Sequence, residues 1–188
     1  MVLTPVSIIA SSFAVFLLLL ALTPFLRHSQ RLLITVGFSL TTLASFLATA
    51  AGIWTVASNN TFRLIIPLGL PDLPFHLRLD VLSGFFLVVV GLLSTFVSIY
   101  SIGYVKGFLG HRPITSMVVF YALFLIGMQL VVLADDAFFF LIAWELMAAA
   151  SYFLVLFEDE RVENRRAAFL YLVVAHVGAI GILLSFGI

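Results

Sequence analysis

Long apolar stretches, broken by short polar interruptions, run through the whole chain. A helix that crosses a membrane needs roughly 20 mostly apolar residues, because each adds about 1.5 Å across a hydrocarbon layer of about 30 Å. Six stretches meet that requirement and predict transmembrane helices over about 4–26, 32–57, 80–104, 114–134, 137–157 and 166–188. The tightest join is Asp135-Asp136. Two adjacent carboxylates are costly in hydrocarbon, so they mark a surface where one helix ends and the next begins.

The segment 58–79 follows a different pattern. Thr61 to Ile66 is strand-compatible, and Phe75-His76-Leu77-Arg78-Leu79 alternates apolar and polar residues. Between them lies Pro67-Leu68-Gly69-Leu70-Pro71-Asp72-Leu73-Pro74, rich in turn formers. An external β-hairpin or extended lid is expected there. Asn59-Asn60-Thr61 matches a glycosylation sequon, a short pattern of little weight. The expected fold is therefore an all-α integral membrane protein with about six helices and one external hairpin-like loop, forming a single transmembrane region over 1–188.

Both chain ends fit this picture. The first apolar run, from about Pro5 to Leu26, has no basic residue before it and is too long for a signal peptide. The last, ending Leu183-Leu184-Ser185-Phe186-Gly187-Ile188, has no polar tail, which leads us to expect further helices beyond it. Orientation follows from the basic residues. Loops one, three and five carry Arg27 and Arg31, Lys106 and Arg112, and Arg161, Arg165 and Arg166, whereas the opposite side carries only Arg63 and Arg78. The positive-inside rule places the first group in the cytoplasm and the N-terminus outside.

Composition supports the membrane class and removes several others. The chain is 63% hydrophobic and 10% charged, with a mean hydropathy of +1.25. Its formal net charge is zero, so it has no basic footprint for nucleic acid. With no cysteine, it cannot form disulfides, cysteine-ligated zinc sites or cysteine-ligated iron–sulfur clusters. No nucleotide-binding loop, metal-ligand cluster or nucleophile–base arrangement is present in the sequence, so no cofactor, metal or catalytic residue is assigned.

Two ionisable residues remain inside apolar runs. Glu145 lies in Phe138-Phe139-Phe140-Leu141-Ile142-Ala143-Trp144-Glu145-Leu146-Met147, near the middle of the fifth helix. A carboxylate there must be neutral, paired or hydrated, and intramembrane acids commonly mark ion pathways. Ala148, Ala149, Ala150 and Ser151 follow and allow a neighbouring helix or water to approach. The plainer reading is a protonated carboxyl group hydrogen-bonded across a helix interface. His176 falls at similar depth on the sixth helix, with Gly178 and Gly181 expected to let that helix pack closely. A carboxyl and an imidazole at one depth form a proton relay; equally, a neutral histidine can simply tie two helices together. Gln129 is expected to bond between helices, and Asp80 to cap the third. Glu158-Asp159-Glu160-Arg161 and Glu163-Asn164-Arg165-Arg166 read as a solvated turn.

These residues fall into recognisable runs. Leu77-Arg78-Leu79-Asp80-Val81-Leu82-Ser83, Ser98-Ile99-Tyr100-Ser101-Ile102-Gly103-Tyr104, Val132-Leu133-Ala134-Asp135, Ala143-Trp144-Glu145-Leu146-Met147 and Ser151-Tyr152-Phe153-Leu154-Val155 resemble the antiporter-like subunits of complex I and its relatives. Arg165-Arg166-Ala167-Ala168-Phe169-Leu170-Tyr171-Leu172, with Ala175-His176-Val177-Gly178, resembles hydrogenase-4 component B in particular. The resemblance covers roughly 60 to 188.

The resemblance implies the N-terminal part of the antiporter-like fold, with helices one to three scaffolding helices four to six. It implies a proton-translocating subunit of a membrane-bound hydrogenase or formate hydrogenlyase complex, in a prokaryotic inner membrane. Redox chemistry would sit on other membrane and peripheral subunits, with protons or sodium as the ion. Glu145 would be the fifth-helix glutamate that pairs with a lysine on a later helix and modulates its proton affinity. No lysine follows Lys106 in this chain, so that partner would lie beyond it. His176 stands where many relatives carry an arginine. Alternatives are a cation/proton antiporter subunit and a passive membrane anchor.

Overall fold

A computed structural model describes residues 4–70, 73–110, 112, 114–158 and 162–186. Three expectations fall partly outside them: the hairpin tip at Pro71-Asp72, the acidic turn at Asp159-Glu160-Arg161, and the terminal Gly187-Ile188. Six helices, α1 (Pro5–Leu26), α2 (Gln30–Ser58), α3 (Val81–Tyr104), α4 (Ile114–Leu133), α5 (Ala137–Val155) and α6 (Val162–Phe186), are long and apolar enough to cross a membrane. Two strands, β1 (Phe62–Leu70) and β2 (Leu73–Leu79), pair antiparallel between α2 and α3, with an irregularity between Ile66 and Gly69. The protein is thus the multi-pass helical membrane protein with an inserted hairpin that its hydropathy pattern predicts.

Local sequence explains where the helices begin and end. Thr4 and Ser7 form a reciprocal capping box at the start of α1, where Pro5 occupies a position that needs no amide hydrogen. Asp80 Oδ1 accepts the Ser83 amide at 2.8 Å and starts α3. Asp136 Oδ1 accepts the Phe139 amide at 2.7 Å and starts α5. α2 ends on Asn59 in the left-handed conformation (φ 52°), so this sequon asparagine has a structural task as a helix cap. Glu163, Asn164, Arg165 and Arg166 are not a turn. They belong to the first two turns of α6, where Glu163 lies at the positive end of the helix dipole.

In lipid, helix association gains little from burying apolar groups, so close backbone approach has to supply the packing energy. α3 buries Gly84, Leu87, Gly91, Ser94, Ser98 and Ser101, alternating three and four residues apart. α2 answers with Ser45, Ala48, Gly52 and Thr55 at the same spacing. That repeat keeps one seam facing a partner along the helix. A Cβ on Gly52 would lie 2.5 Å from the Gly84 carbonyl oxygen, so here the two backbones touch.

The main core lies among α1, α2 and α4, where Phe16, Leu19, Leu33, Ile34, Phe38 and Val118 are almost fully buried. The division of labour differs from the expected one: α4 packs into this core with α1 and α2 instead of being carried on them. Inside it Ser12 Oγ reaches both the Ala44 carbonyl at 2.8 Å and Gln129 Oε1 at 3.2 Å, tying α1, α2 and α4 together. α5 packs on α4 at Gly127, where a Cβ would meet the Met147 backbone at 2.9 Å. α6 touches mainly α5. Gly178 and Gly181 face open space, contrary to the close packing expected of them; a small residue permits close approach only where a neighbour is present.

Candidate functional site: an acid–imidazole pair on α5 and α6

Glu145 lies eight residues into α5, about 12 Å along its axis, and His176 lies ten residues from the far end of α6, about 15 Å. The helices run antiparallel, so these distances are measured from the same side. His176 Nε2 stands 3.3 Å from Glu145 Oε2. One turn earlier on α6, Leu172 offers its carbonyl oxygen to His176 Nδ1 at 2.8 Å.

That carbonyl fixes the chemistry of the ring. A carbonyl only accepts, so Nδ1 must carry a proton, and the remaining nitrogen, Nε2, faces the carboxyl group. A close Nε2–Oε2 contact then requires one proton between them. It resides on the acid, as a neutral pair, or on the ring, as an ion pair. With neither protonated, two lone pairs would face each other and the contact would open. The geometry therefore places a carboxyl group and an imidazole in contact at mid-helix.

Its surroundings are open. The side chains of Glu145 and His176 are 45% and 51% exposed in this chain. Toward the end of α5, Ser151 Oγ and the Tyr171 hydroxyl lie 2.6 Å apart, a second polar bridge from α5 to α6. Next to Glu145, the Trp144 indole Nε1 is buried without a hydrogen-bond partner, its ring stacked on Phe140 at 5.9 Å between centroids. Neither Tyr171 nor Trp144 was singled out from sequence. Tyr171 lies seven residues after Asn164 and five before His176 on one helix, but only the packing of α5 against α6 pairs it with Ser151. Among the described residues, no group of three or more acidic or histidine side chains could hold a metal ion.

A second polar assembly lies at the helix ends, on the side of the hairpin. Arg78 Nε sits 3.2 Å from both Asp80 Oδ2 and Asp135 Oδ1, and Arg63 approaches Asp135 at 3.9 Å. The His76 amide donates to Asp136 Oδ2 at 2.9 Å, while the Asp135 amide donates to the His76 carbonyl at 2.9 Å. The aspartates that separate α4 from α5 thus anchor the hairpin. The Asp80 carboxyl is held below its usual pKa, foremost by the Ser83 amide and also by the Arg78 charge, against an opposing desolvation cost.

Residues 66–108, from within β1 through the turn after α3, match the family described as the N-terminus of NADH-ubiquinone oxidoreductase (complex I) chain 5. An uncharacterised protein of Mycobacterium tuberculosis is 41% identical over 117 residues, covering 62% of this chain and 18% of that protein. Hydrogenase-4 component B of Escherichia coli is 33% identical over 110 residues, 58% of this chain and 16% of its own length. Chain 5 of the Metridium senile NADH-ubiquinone oxidoreductase is 33% identical over 111 residues, 59% of this chain and 18% of its own. A chain of the membrane-bound sulfane sulfur reductase, an archaeal respiratory membrane complex, shares the fold with a TM-score of 0.75 at 18% identity, over 94% of this chain and 35% of that one. The chain therefore spans under a fifth of the length of these curated relatives.

Proposed function

We propose that this chain, which is related to the antiporter-like subunits of complex I and hydrogenase-4, carries part of a proton path through the membrane, with Glu145 and His176 as its proton-holding residues. The observation that carries this reading is the 3.3 Å contact between two titratable groups at mid-helix, with the outer ring nitrogen tied to a backbone carbonyl. An intramembrane acid is expensive to keep. Pairing it with a second titratable group costs more still for a helix that needs only to span, so a passive anchor has no use for the pair.

The contact supports a simple cycle. A proton shared between Glu145 and His176 lets the two side chains stay together. A cation arriving near Glu145 favours the carboxylate and pushes the proton onto the imidazole or away. Removing the cation reverses the preference. Redox chemistry on partner subunits of a membrane-bound hydrogenase or related complex would supply that change of charge, with protons as the ion carried. The seven-to-two division of basic residues supports an orientation with the N-terminus outside.

Glu145→Gln in the assembled complex tests the reading. It keeps the shape but removes titration, and assembly is expected to survive while coupled proton movement falls by at least tenfold. Normal pumping in an assembled variant would return the passive anchor to favour. Cysteine labelling at Asn60 and Gly110 tests the orientation: Asn60 is expected to react from outside and Gly110 from within.

A further inference from the structure

On the side opposite the hairpin, the basic residues that set the orientation do more than mark a face. Arg31 in the first turn of α2 and Lys106 just after α3 line one open cavity of about 500 Å³, together with Thr35 and Leu109. Both cations are exposed, and among the described residues neither has a carboxylate partner within 4.0 Å. The turns that follow α1 and α3 contain no acidic residue at all: residues 27–29 and 105–113 hold only basic, apolar and small polar side chains. The surroundings add to the positive potential. The first turn of α2 has no acidic residue, and Ser29 makes no side-chain bond to its free amides.

We propose that the cavity between Arg31 and Lys106 binds the phosphate of an anionic phospholipid. Two uncompensated charges, one from each of two membrane-spanning helices, converge at the membrane boundary, where a phospholipid carries its phosphate. The cavity is open rather than enclosed, which suits a headgroup that must keep its acyl chains in the bilayer. Leu109 gives it an apolar wall, and Thr35, whose hydroxyl donates to the Arg31 carbonyl at 3.1 Å, lies one turn deeper. Each basic side chain near the surface contributes roughly a fivefold preference for anionic over neutral lipid, so the pair should give one of the order of tenfold or more. Bound in this way, the lipid would bridge α2 to the end of α3 where those helices pass from their shared seam into water. The inference depends on the membrane placement and not on the proton path.

The test uses the full chain in nanodiscs of phosphatidylcholine with phosphatidylglycerol as the minor component, followed by native mass spectrometry of the lipid retained after release. The wild type is expected to keep phosphatidylglycerol over phosphatidylcholine by about tenfold or more. Arg31→Gln with Lys106→Gln should reduce that preference to near one. Arg165→Gln with Arg166→Gln, which removes equal charge from the same side, should leave it in place. A charge-keeping pair, Arg31→Lys with Lys106→Arg, separates lost binding from lost folding and should retain the lipid. Equal loss in both glutamine pairs would mean that only general surface charge attracts the lipid, and the site would be rejected. Displacement of the lipid by millimolar inorganic phosphate would likewise overturn the proposal in favour of a free-anion site.

Discussion

The α2–α3 and α5–α6 interfaces join helices of similar kind by opposite means. Along α2 and α3, small residues at alternating three- and four-residue spacing bring backbone onto backbone, and the seam holds Gly52 against Gly84 and Gly91 against Thr49. Along α5 and α6, the glycines meet nothing, and two polar bridges, Ser151–Tyr171 and Glu145–His176, join the helices beside a Phe140–Phe186 ring contact and the buried Ala168 and Ala179. The first interface gains from dispersion over many atoms. The second has fewer close backbone contacts and relies more on side-chain polar groups. A tight seam can hold a scaffold, whereas an interface with fewer close contacts can open at lower cost. The proposed proton path would then run along the weaker interface, where the loss of one contact is large relative to what holds the helices together.

The largest effect should come from disturbing the tight seam. Gly52→Leu would drive a side chain into the Gly84 carbonyl and the Val88 backbone, neither of which can rotate away. Overpacking of this kind costs about 1–3 kcal/mol and often more when the obstacle is main chain. The purified variant should unfold at clearly lower temperature in detergent, or fail to accumulate. Gly181→Leu, on the open face of α6, should behave like the wild type. Equal loss in both variants would erase the distinction between the interfaces.

A smaller effect is expected on the other pair. Tyr171→Phe removes the hydroxyl facing Ser151, and interhelical hydrogen bonds of this type in membranes average about 0.6 kcal/mol. A stability change of that size is expected, together with easier separation of α6 from α5, read as faster exchange between spin labels placed on the two helices. His176→Phe, which removes the ring nitrogen facing Glu145, should loosen α6 from α5 in the same measurement. Label exchange unchanged from the wild type in both variants would mean that these two polar contacts do not hold α6 to α5.

Much of this was legible in the sequence, and the missed parts share a cause. Helix number, the inserted hairpin and the depth-matching of Glu145 with His176 follow from one-dimensional quantities: run length, alternation and residue count. The role of Asp135-Asp136 did not. Their cost in hydrocarbon predicts a surface, but nothing in a run of residues says that Arg78, more than fifty positions earlier, folds back onto them. Gly178 and Gly181 illustrate the converse. The sequence displays small residues on α6 and, even more plainly, on α3, where Gly84, Gly91, Ser94, Ser98 and Ser101 fall along one face. Only the identity of the facing helix separates a seam from an open face. The division between scaffold and carried helices failed for the same reason, since α4 continues the core of α1 and α2 through Val118, Ala122 and Leu125.

The smallest effect tests whether the tight pair is also secured at its end. Asp80 caps α3, accepting the Ser83 amide, and lies 3.2 Å from Arg78 with its side chain 23% exposed. Its pKa in the folded protein is lowered, so the stability it contributes is fully present above its unfolded value of about 3.9 and is lost as pH falls through the lower folded value. Asparagine is an equally good capping residue and keeps the acceptor, so Asp80→Asn removes the charge and leaves the cap. The neutral-pH penalty should be only a few tenths of a kcal/mol, set by the Arg78 and helix-dipole attractions at a partly exposed site. Between pH 7 and about 5 the gap between wild type and variant should stay constant. Below about pH 4 it should close, because the wild-type carboxyl becomes protonated and loses the same attractions. Thermal unfolding in detergent at stepped pH measures both curves. A gap that persists unchanged at pH 2.5 would mean that the carboxylate charge adds nothing here, and that α3 is fixed by its seam with α2 alone.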